Sequence, residues 1–183
     1  MPTTLLTYAS TVSSTWSGDI SKIAADDGNM AGATAVGQIA IIALTNLPAD
    51  VYSINSINYV LVDTRMNSPG KTDETRLIVT LQDSSGDFYD ENADIRTRTF
   101  DITGTTRTTS DGSTAWTLSQ LNDLRLKFDV ASANPNIGSG ITIDYAYVEV
   151  DYNEAPAPTY DKNVNNIHIT SGNVYLKSGN VYI

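Results

Sequence analysis

The sequence predicts an all-β protein: a two-sheet antiparallel sandwich of jelly-roll or Greek-key type, carrying a short C-terminal β-repeat tail. Three observations lead there. Apolar residues recur at period two in strand-length runs, most cleanly where Leu124, Leu126, Phe128 and Val130 alternate with Arg125, Lys127 and Asp129. The runs are rich in β-branched and aromatic residues and are punctuated by clusters such as Asp26-Asp27-Gly28-Asn29, Asn67-Ser68-Pro69-Gly70 and Asp83-Ser84-Ser85-Gly86-Asp87. Helix signals extend to single turns only, at Asp19–Ala25 and Thr117–Leu121.

The elements follow in order. Thr3 to Val12 is uncharged and reads as a first strand, closed by Trp16-Ser17-Gly18, with Trp16 expected to anchor the corner in the core. Asp19 can cap a turn whose Ile20 and Ile23 face inward. Gln38 to Leu44 is apolar on both faces and so predicts a central or covered strand, ended by Leu47-Pro48. Ile57, Tyr59 and Leu61 mark the inward face of the next strand. Leu77, Val79 and Leu81 mark a return strand, and the two are expected to pair as antiparallel neighbours. The Thr-rich stretch from Ile95 to Thr109, with Arg96, Arg98 and Arg107, suits a sheet edge. Trp116 is a second expected anchor beside the turn signal Asp111-Gly112. The loop 134–140 then leads into Ile141–Tyr152, whose apolar pattern changes sides near the middle, as a bulge would cause. About eight strands result, enough for a sandwich.

Composition narrows function. The 183 residues suffice for one substantial core, and 40% hydrophobic content argues against disorder. A net charge of −10 repels phosphate backbones and anionic headgroups, so neither nucleic acid nor membrane is an expected partner. There is no cysteine, hence no disulfide, thiolate ligand or cysteine nucleophile. No apolar run approaches the roughly 20 residues of a membrane-spanning helix, and no secretory leader is read at the N-terminus.

Three regions are expected: a sandwich body over 1–152, a Pro-containing linker over 153–160, and an assembly tail over 161–183. Asn166–Gly172, Asn173–Gly179 and Asn180–Ile183 are copies of one seven-residue unit, the last cut short. Ile167, Val174 and Val181 correspond, as do Ile169, Leu176 and Ile183; His168, Tyr175 and Tyr182 lie between them on the opposite face. Strands this short cannot bury their apolar positions alone, so these residues, with Tyr175 and Tyr182 as an aromatic ladder, are read as an assembly interface.

Candidate chemistry is sparse. His168, the single histidine, occupies a position that is Tyr in the other copies and reads as structural rather than catalytic. Asp83, Asp87, Asp90 and Glu91 could pair as glycosidase carboxylates, but they fall in a turn-rich acidic stretch and read as a solvated loop. No catalytic residue is assigned. Asp26, Asp27, Asp83 and Asp87 offer hard oxygen ligands for calcium without the length or terminal Glu of an EF-hand loop, so no metal or other cofactor is expected. Trp16 and Trp116 would be glycan contacts if exposed, with burial the favoured reading.

The body resembles a β-sandwich domain of tailed-bacteriophage virion proteins. The likeness runs through Trp16 with Asp26-Asp27, Leu47-Pro48 with Ile54–Val62, Leu77–Asp83, Trp116-Thr117 with Leu121-Asn122, and Ile143-Asp144-Tyr145 leading to Val148–Tyr152. This sequence lacks a Trp-Gly pair that some such proteins carry near the position of Trp116. The resemblance implies a non-enzymatic virion-surface protein whose partners are other virion proteins, such as the major capsid or tail protein. A capsid decoration or cement subunit assembling through its tail as a homo-oligomer, by analogy a trimer, is the leading expectation. The alternative is a carbohydrate- or host-receptor-binding module of a tail or fibre.

Overall fold

The computed structural model describes residues 2–66, 75–93, 98–132 and 140–156. They form an all-β, antiparallel sandwich. Its strands are β1 (Thr3–Ser14), β2 (Ala31–Ala33), β3 (Ile39–Leu44), β4 (Val51–Met66), β5 (Thr75–Gln82), β6 (Asp87–Ala93), β7 (Arg98–Thr103), β8 (Arg125–Ser132), β9 (Ile141–Ile143) and β10 (Tyr145–Glu154). The helical pieces are a 3-10 turn, Ile20–Ile23, and α1, Leu118–Asn122. Ten strands are thus present among the described residues, where the sequence suggested about eight. The additional ones are the short β2, the division of the closing strand into β9 and β10, and β6, which reads in the sequence as an acidic loop; the Thr-rich stretch, read as a strand pair, contributes β7.

Both sheets share β1. Its first half, Thr3–Thr7, pairs with β10, and its second half, Tyr8–Ser14, pairs with β3. Register shifts between Tyr8 and Ser10 and between Thr11 and Ser13 bend the strand as it passes from one sheet to the other. One sheet runs β7-β4-β10-β1, with β9 continuing the line of β10 along β4 and β2 pairing onto β9. The other runs β1-β3-β8-β5-β6.

The period-two pattern decides what lies between the sheets. Leu6, Ile57, Tyr59, Leu61, Val148 and Val150 line the first inner face; Ile42, Leu77, Val79, Leu126, Phe128 and Val130 line the second. Capping proceeds as the sequence reading expects. The Asp19 carboxylate accepts from the Ser21 N–H at 3.0 Å, burying Ile20 and Ile23 below it. At α1, the Thr117 hydroxyl accepts from the Gln120 N–H at 3.2 Å while the Gln120 side chain accepts from the Thr117 N–H at 2.9 Å, a complete capping box.

One pairing differs. β4 and β5 are not neighbours: β4 lies in the first sheet between β10 and β7, whereas β5 pairs with β8 and β6 in the second. Both strands have the alternation of a hairpin arm, but alternation reports only that one face is buried. The inner faces of opposed sheets satisfy it as well as adjacent strands do. The segment 67–74 is also longer than a tight hairpin turn requires. The Thr-rich stretch does form an edge, with β7 on β4 and Arg107 bridging to Ile57 beyond it.

Candidate functional site

Both tryptophans are buried. Trp16 is 6% exposed, its ring 5.9 Å from that of Phe128. Trp116 is 5% exposed, edge-on to Phe88 at 5.2 Å, and its Nε1–H donates to the Arg107 carbonyl at 3.1 Å. Tyr89 completes this cluster, with the Arg107 guanidinium 4.3 Å above its ring and its hydroxyl donating to the Thr109 carbonyl at 2.9 Å. Neither indole face is open to a sugar; both act as plugs at turns.

The acidic candidates are all engaged, but not all lie in a loop. The expected acidic loop is in part strand β6, which carries Asp87, Asp90 and Glu91, because Phe88 and Tyr89 between them pack against the core and the backbone pairs with β5. Asp27 accepts from the Asn29 N–H and side-chain amide at 2.9 and 3.0 Å, which lowers its pKa. Asp83 accepts from Ser85 at 2.7 Å (N–H) and 2.5 Å (hydroxyl) and from the Gly86 N–H at 3.2 Å. Asp87 pairs with Lys127 at 3.0 Å, and Asp90 accepts from the Thr80 hydroxyl at 2.5 Å. Glu91 accepts from the Thr105 N–H with both oxygens, at 3.1 and 3.0 Å. Among the described residues, no group of three or more His, Cys, Asp or Glu side chains is placed to hold a metal ion. His168 and the whole repeat tail, including Tyr175 and Tyr182, lie outside the described residues.

The structure instead brings together a site that sequence reasoning missed, on the outer face of the β1-β10-β4 sheet. Ala146, Val148 and Val150 point inward, so Tyr145, Tyr147, Glu149, Asp151 and Asn153 share the other face. Register pairing adds neighbours to each row. Tyr147 sits between Thr7 and Val60, Glu149 between Leu5 and Asn58, and Asp151 between Thr3 and Ser56. The tyrosine rings lie 5.1 Å apart, tilted by 39°, and form one continuous aromatic patch. Burial is the main cause raising the pKa of the Tyr145 hydroxyl, with Tyr147 and Asp26 adding to it. Leu5, 46% exposed, extends the apolar surface toward the carboxylates. At the far end the Asn153 amide donates to Ser53 at 3.0 Å and to Asn55 at 2.8 Å, fixing a polar cluster. From Tyr145 to Asn153 the face runs roughly 26 Å, at about 3.3 Å per residue.

A break in the strand is what aims the tyrosines outward. Between β9 and β10 stands Asp144, 2% exposed, whose two carboxylate oxygens accept from the Gly28 N–H at 3.1 and 3.0 Å. Opposite it, β4 carries Asp63 at φ +42°, with the Arg65 guanidinium paired to its carboxylate. The period of each strand slips here, so Ile141 and Ile143 are buried on one side of the break and Ala146 and Val148 on the other. The sequence signal for this was the change of apolar face within Ile141–Tyr152, but it did not say which residue carried the slip.

No family model matches the chain, and no curated protein matches it. Three similar solved structures contain carbohydrate-binding modules. A xylan-binding module of the CBM15 class shares 15% identity over 84% of this chain and 99% of its own, with a TM-score of 0.46. The CBM32 domain of AlyQ, in complex with 4,5-unsaturated mannuronic acid, shares 10% identity over 79% of this chain and 97% of its own, at TM-score 0.40. A truncated AlyQ with CBM32 and alginate lyase domains shares 12% identity over 86% of this chain and 36% of its own, at TM-score 0.37. The likeness is shallow in sequence and in superposition.

Proposed function

We propose that this chain is a non-catalytic glycan-binding β-sandwich, displayed on a phage particle as a tail or fibre module and assembled through its C-terminal repeats. The carrying observation is the Tyr145–Tyr147 patch on an outer sheet face set among Leu5, Glu149, Asp151 and the Asn153 cluster. A sugar ring has an apolar C–H face and a rim of hydroxyls. Aromatic faces cover the former, and carboxylates and amides fixed beside them accept from and donate to the latter. The face is a shallow surface backed by a rigid sheet, which suits an extended oligosaccharide. The test is binding of immobilised and soluble glycans to the full chain and to Tyr145→Ala and Tyr147→Ala. Each truncation is expected to weaken binding about tenfold, equivalent to about 1.4 kcal/mol. Unchanged binding in both variants would remove this face from the proposal.

A second reading, the decoration or cement subunit on the virion surface, is favoured by the three-copy repeat over 166–183. In it Ile167, Ile169, Val174, Leu176, Val181 and Ile183 are buried against other copies or a capsid protein. Light scattering on the full chain and on a Met1–Pro158 truncation tests it. An oligomer that falls to monomer on truncation supports assembly through the tail; full assembly without the tail refutes it.

A further inference from the structure

We infer, on the strength of the glycan-binding reading, that the Tyr145–Asn153 face selects uncharged glycans and rejects polyuronates. The observation is the sign of its charge. The face carries Glu149 and Asp151, two residues apart on β10 and facing the same way, with Glu154 and Asp50 beyond the Asn153 end. Neither β1 nor β10 contains a Lys or Arg, and the single one in β4, Arg65, lies past Tyr145 and is paired with Asp63. Of the other described cations, Lys22 stands on the 3-10 turn just before Ala24, which bridges to Tyr145, and its charge acts on Asp19 and Asp27. Arg107 stacks on Tyr89 and reaches Glu91 at 3.6 Å, and Lys127 pairs with Asp87 on the opposite sheet.

The chemistry follows from the two carboxylates. A carboxylate oxygen only accepts, so those of Glu149 and the oxygen of Asp151 other than its buried Oδ1 suit hydroxyl donors; a uronate carboxylate presents a further acceptor of the same sign and offers nothing in exchange. Placing that charge a few ångströms from two like charges is repulsive, and no guanidinium or ammonium on the described face offsets it. The wider chain adds to the effect, since its net charge of −10 lowers the local concentration of any polyanion. A neutral glycan pays neither penalty and keeps both the tyrosine stacking and the carboxylate hydrogen bonds.

The experiment compares the full chain against matched probes: hexaoses of glucose, mannose, xylose and galactose on one side, mannuronate and galacturonate hexamers on the other. At least one neutral hexaose is expected to bind at least about tenfold more tightly than either uronate, a gap of about 1.4 kcal/mol. The gap should narrow as salt rises from about 20 mM to about 500 mM, since the repulsion is screened. It should also narrow in Glu149→Gln/Asp151→Asn, through a gain in uronate affinity. Uronates that bind the parent as well as the neutral probes overturn the charge selection while leaving glycan binding intact. A ratio indifferent to both salt and the double substitution overturns it as well. If no hexaose and no uronate binds, the glycan reading itself falls and takes the selection with it.

Discussion

Gly104 offers the sharpest test of how the edge strand β7 is held against the core. It follows β7 and lies opposite Tyr59 of β4, whose carbonyl accepts from the Gly104 N–H at 2.9 Å. A Cβ built on Gly104 would fall 2.2 Å from Tyr59 Cε1, 2.5 Å from Cδ1 and 2.6 Å from Cζ. Ordinary carbon contacts are about 3.5–4.0 Å, so a methyl here overlaps the ring by more than about 1 Å. The ring has no free space to take up, because Tyr59 is 2% exposed and its buried hydroxyl has a pKa raised mainly by desolvation, with Glu91 adding to it. Gly104→Ala must therefore push β7 away or force the ring off its rotamer. Overpacking of this kind costs about 1–3 kcal/mol, and loss of the Gly104–Tyr59 hydrogen bond adds about 1 kcal/mol. In a chain of this size, about 3 kcal/mol lowers Tm by roughly 6–12 °C. Gly104 is not among the glycines with positive φ, so the cost is steric and not conformational. Urea unfolding of Gly104→Ala in the parent and in a Tyr59→Leu background separates the two causes. The same substitution should cost less than about 1 kcal/mol once the ring is gone. An equal cost in both backgrounds, or a parent variant within about 0.5 kcal/mol of wild type, would refute the packing account.

Two further outcomes follow from the same structure. Thr117→Ala removes the N-cap half of the capping box at α1 and should cost about 1 kcal/mol, read as a shift of the urea midpoint at unchanged slope; no shift would mean that burial of Leu121 alone holds the turn. Asp144→Asn tests the buried carboxylate at the β9–β10 break, whose pKa is raised first by desolvation and further by Asp26. A raised folded pKa favours the protonated acid in the native state. That contribution is full below the unfolded value of about 3.9 and is lost as pH rises through the folded value. The permanently neutral Asn variant should therefore be at least as stable as wild type at pH 7, with its advantage shrinking as pH falls toward 4. An advantage that grows in acid contradicts the assignment.

How much of this could be read from residues alone depends on what each signal reports. Alternation at Leu124–Val130 and at Leu77–Leu81 names the buried face correctly, because one-sided burial is what alternation measures. It is silent about which sheet a strand joins, and so the expected β4–β5 pairing failed. Caps at Asp19 and Thr117 were legible because they depend on local spacing. Gly104 was not: its reason for being glycine is a ring 45 positions earlier in the chain. The tryptophans could serve as sugar platforms by residue type, but a bulky ring beside a turn is what fills the end of a sandwich; burial is the favoured reading for that reason, and both are buried.

The outward tyrosines illustrate the remaining gap. In an unbroken strand, Ile141, Ile143, Tyr145 and Tyr147 would all share one face. Turning that face inward would bury both tyrosines and place Val148 and Val150 in solvent; turning it outward would expose two isoleucines. Neither arrangement is stable, and the chain avoids the choice by slipping one residue at Asp144, with Asp63 in the left-handed region opposite it on β4. The slip leaves a buried carboxylate that the Gly28 N–H must satisfy, and so ties the loop before β2 to the same point. The aromatic patch, the acidic row beside it and the latched loop are thus consequences of one register change. On the proposed glycan-binding reading, a substitution that restored regular pairing at Asp63 and Asp144 is expected to abolish binding in the same glycan assay with Tyr145, Tyr147, Glu149 and Asp151 unchanged; retained binding would separate the patch from the register change.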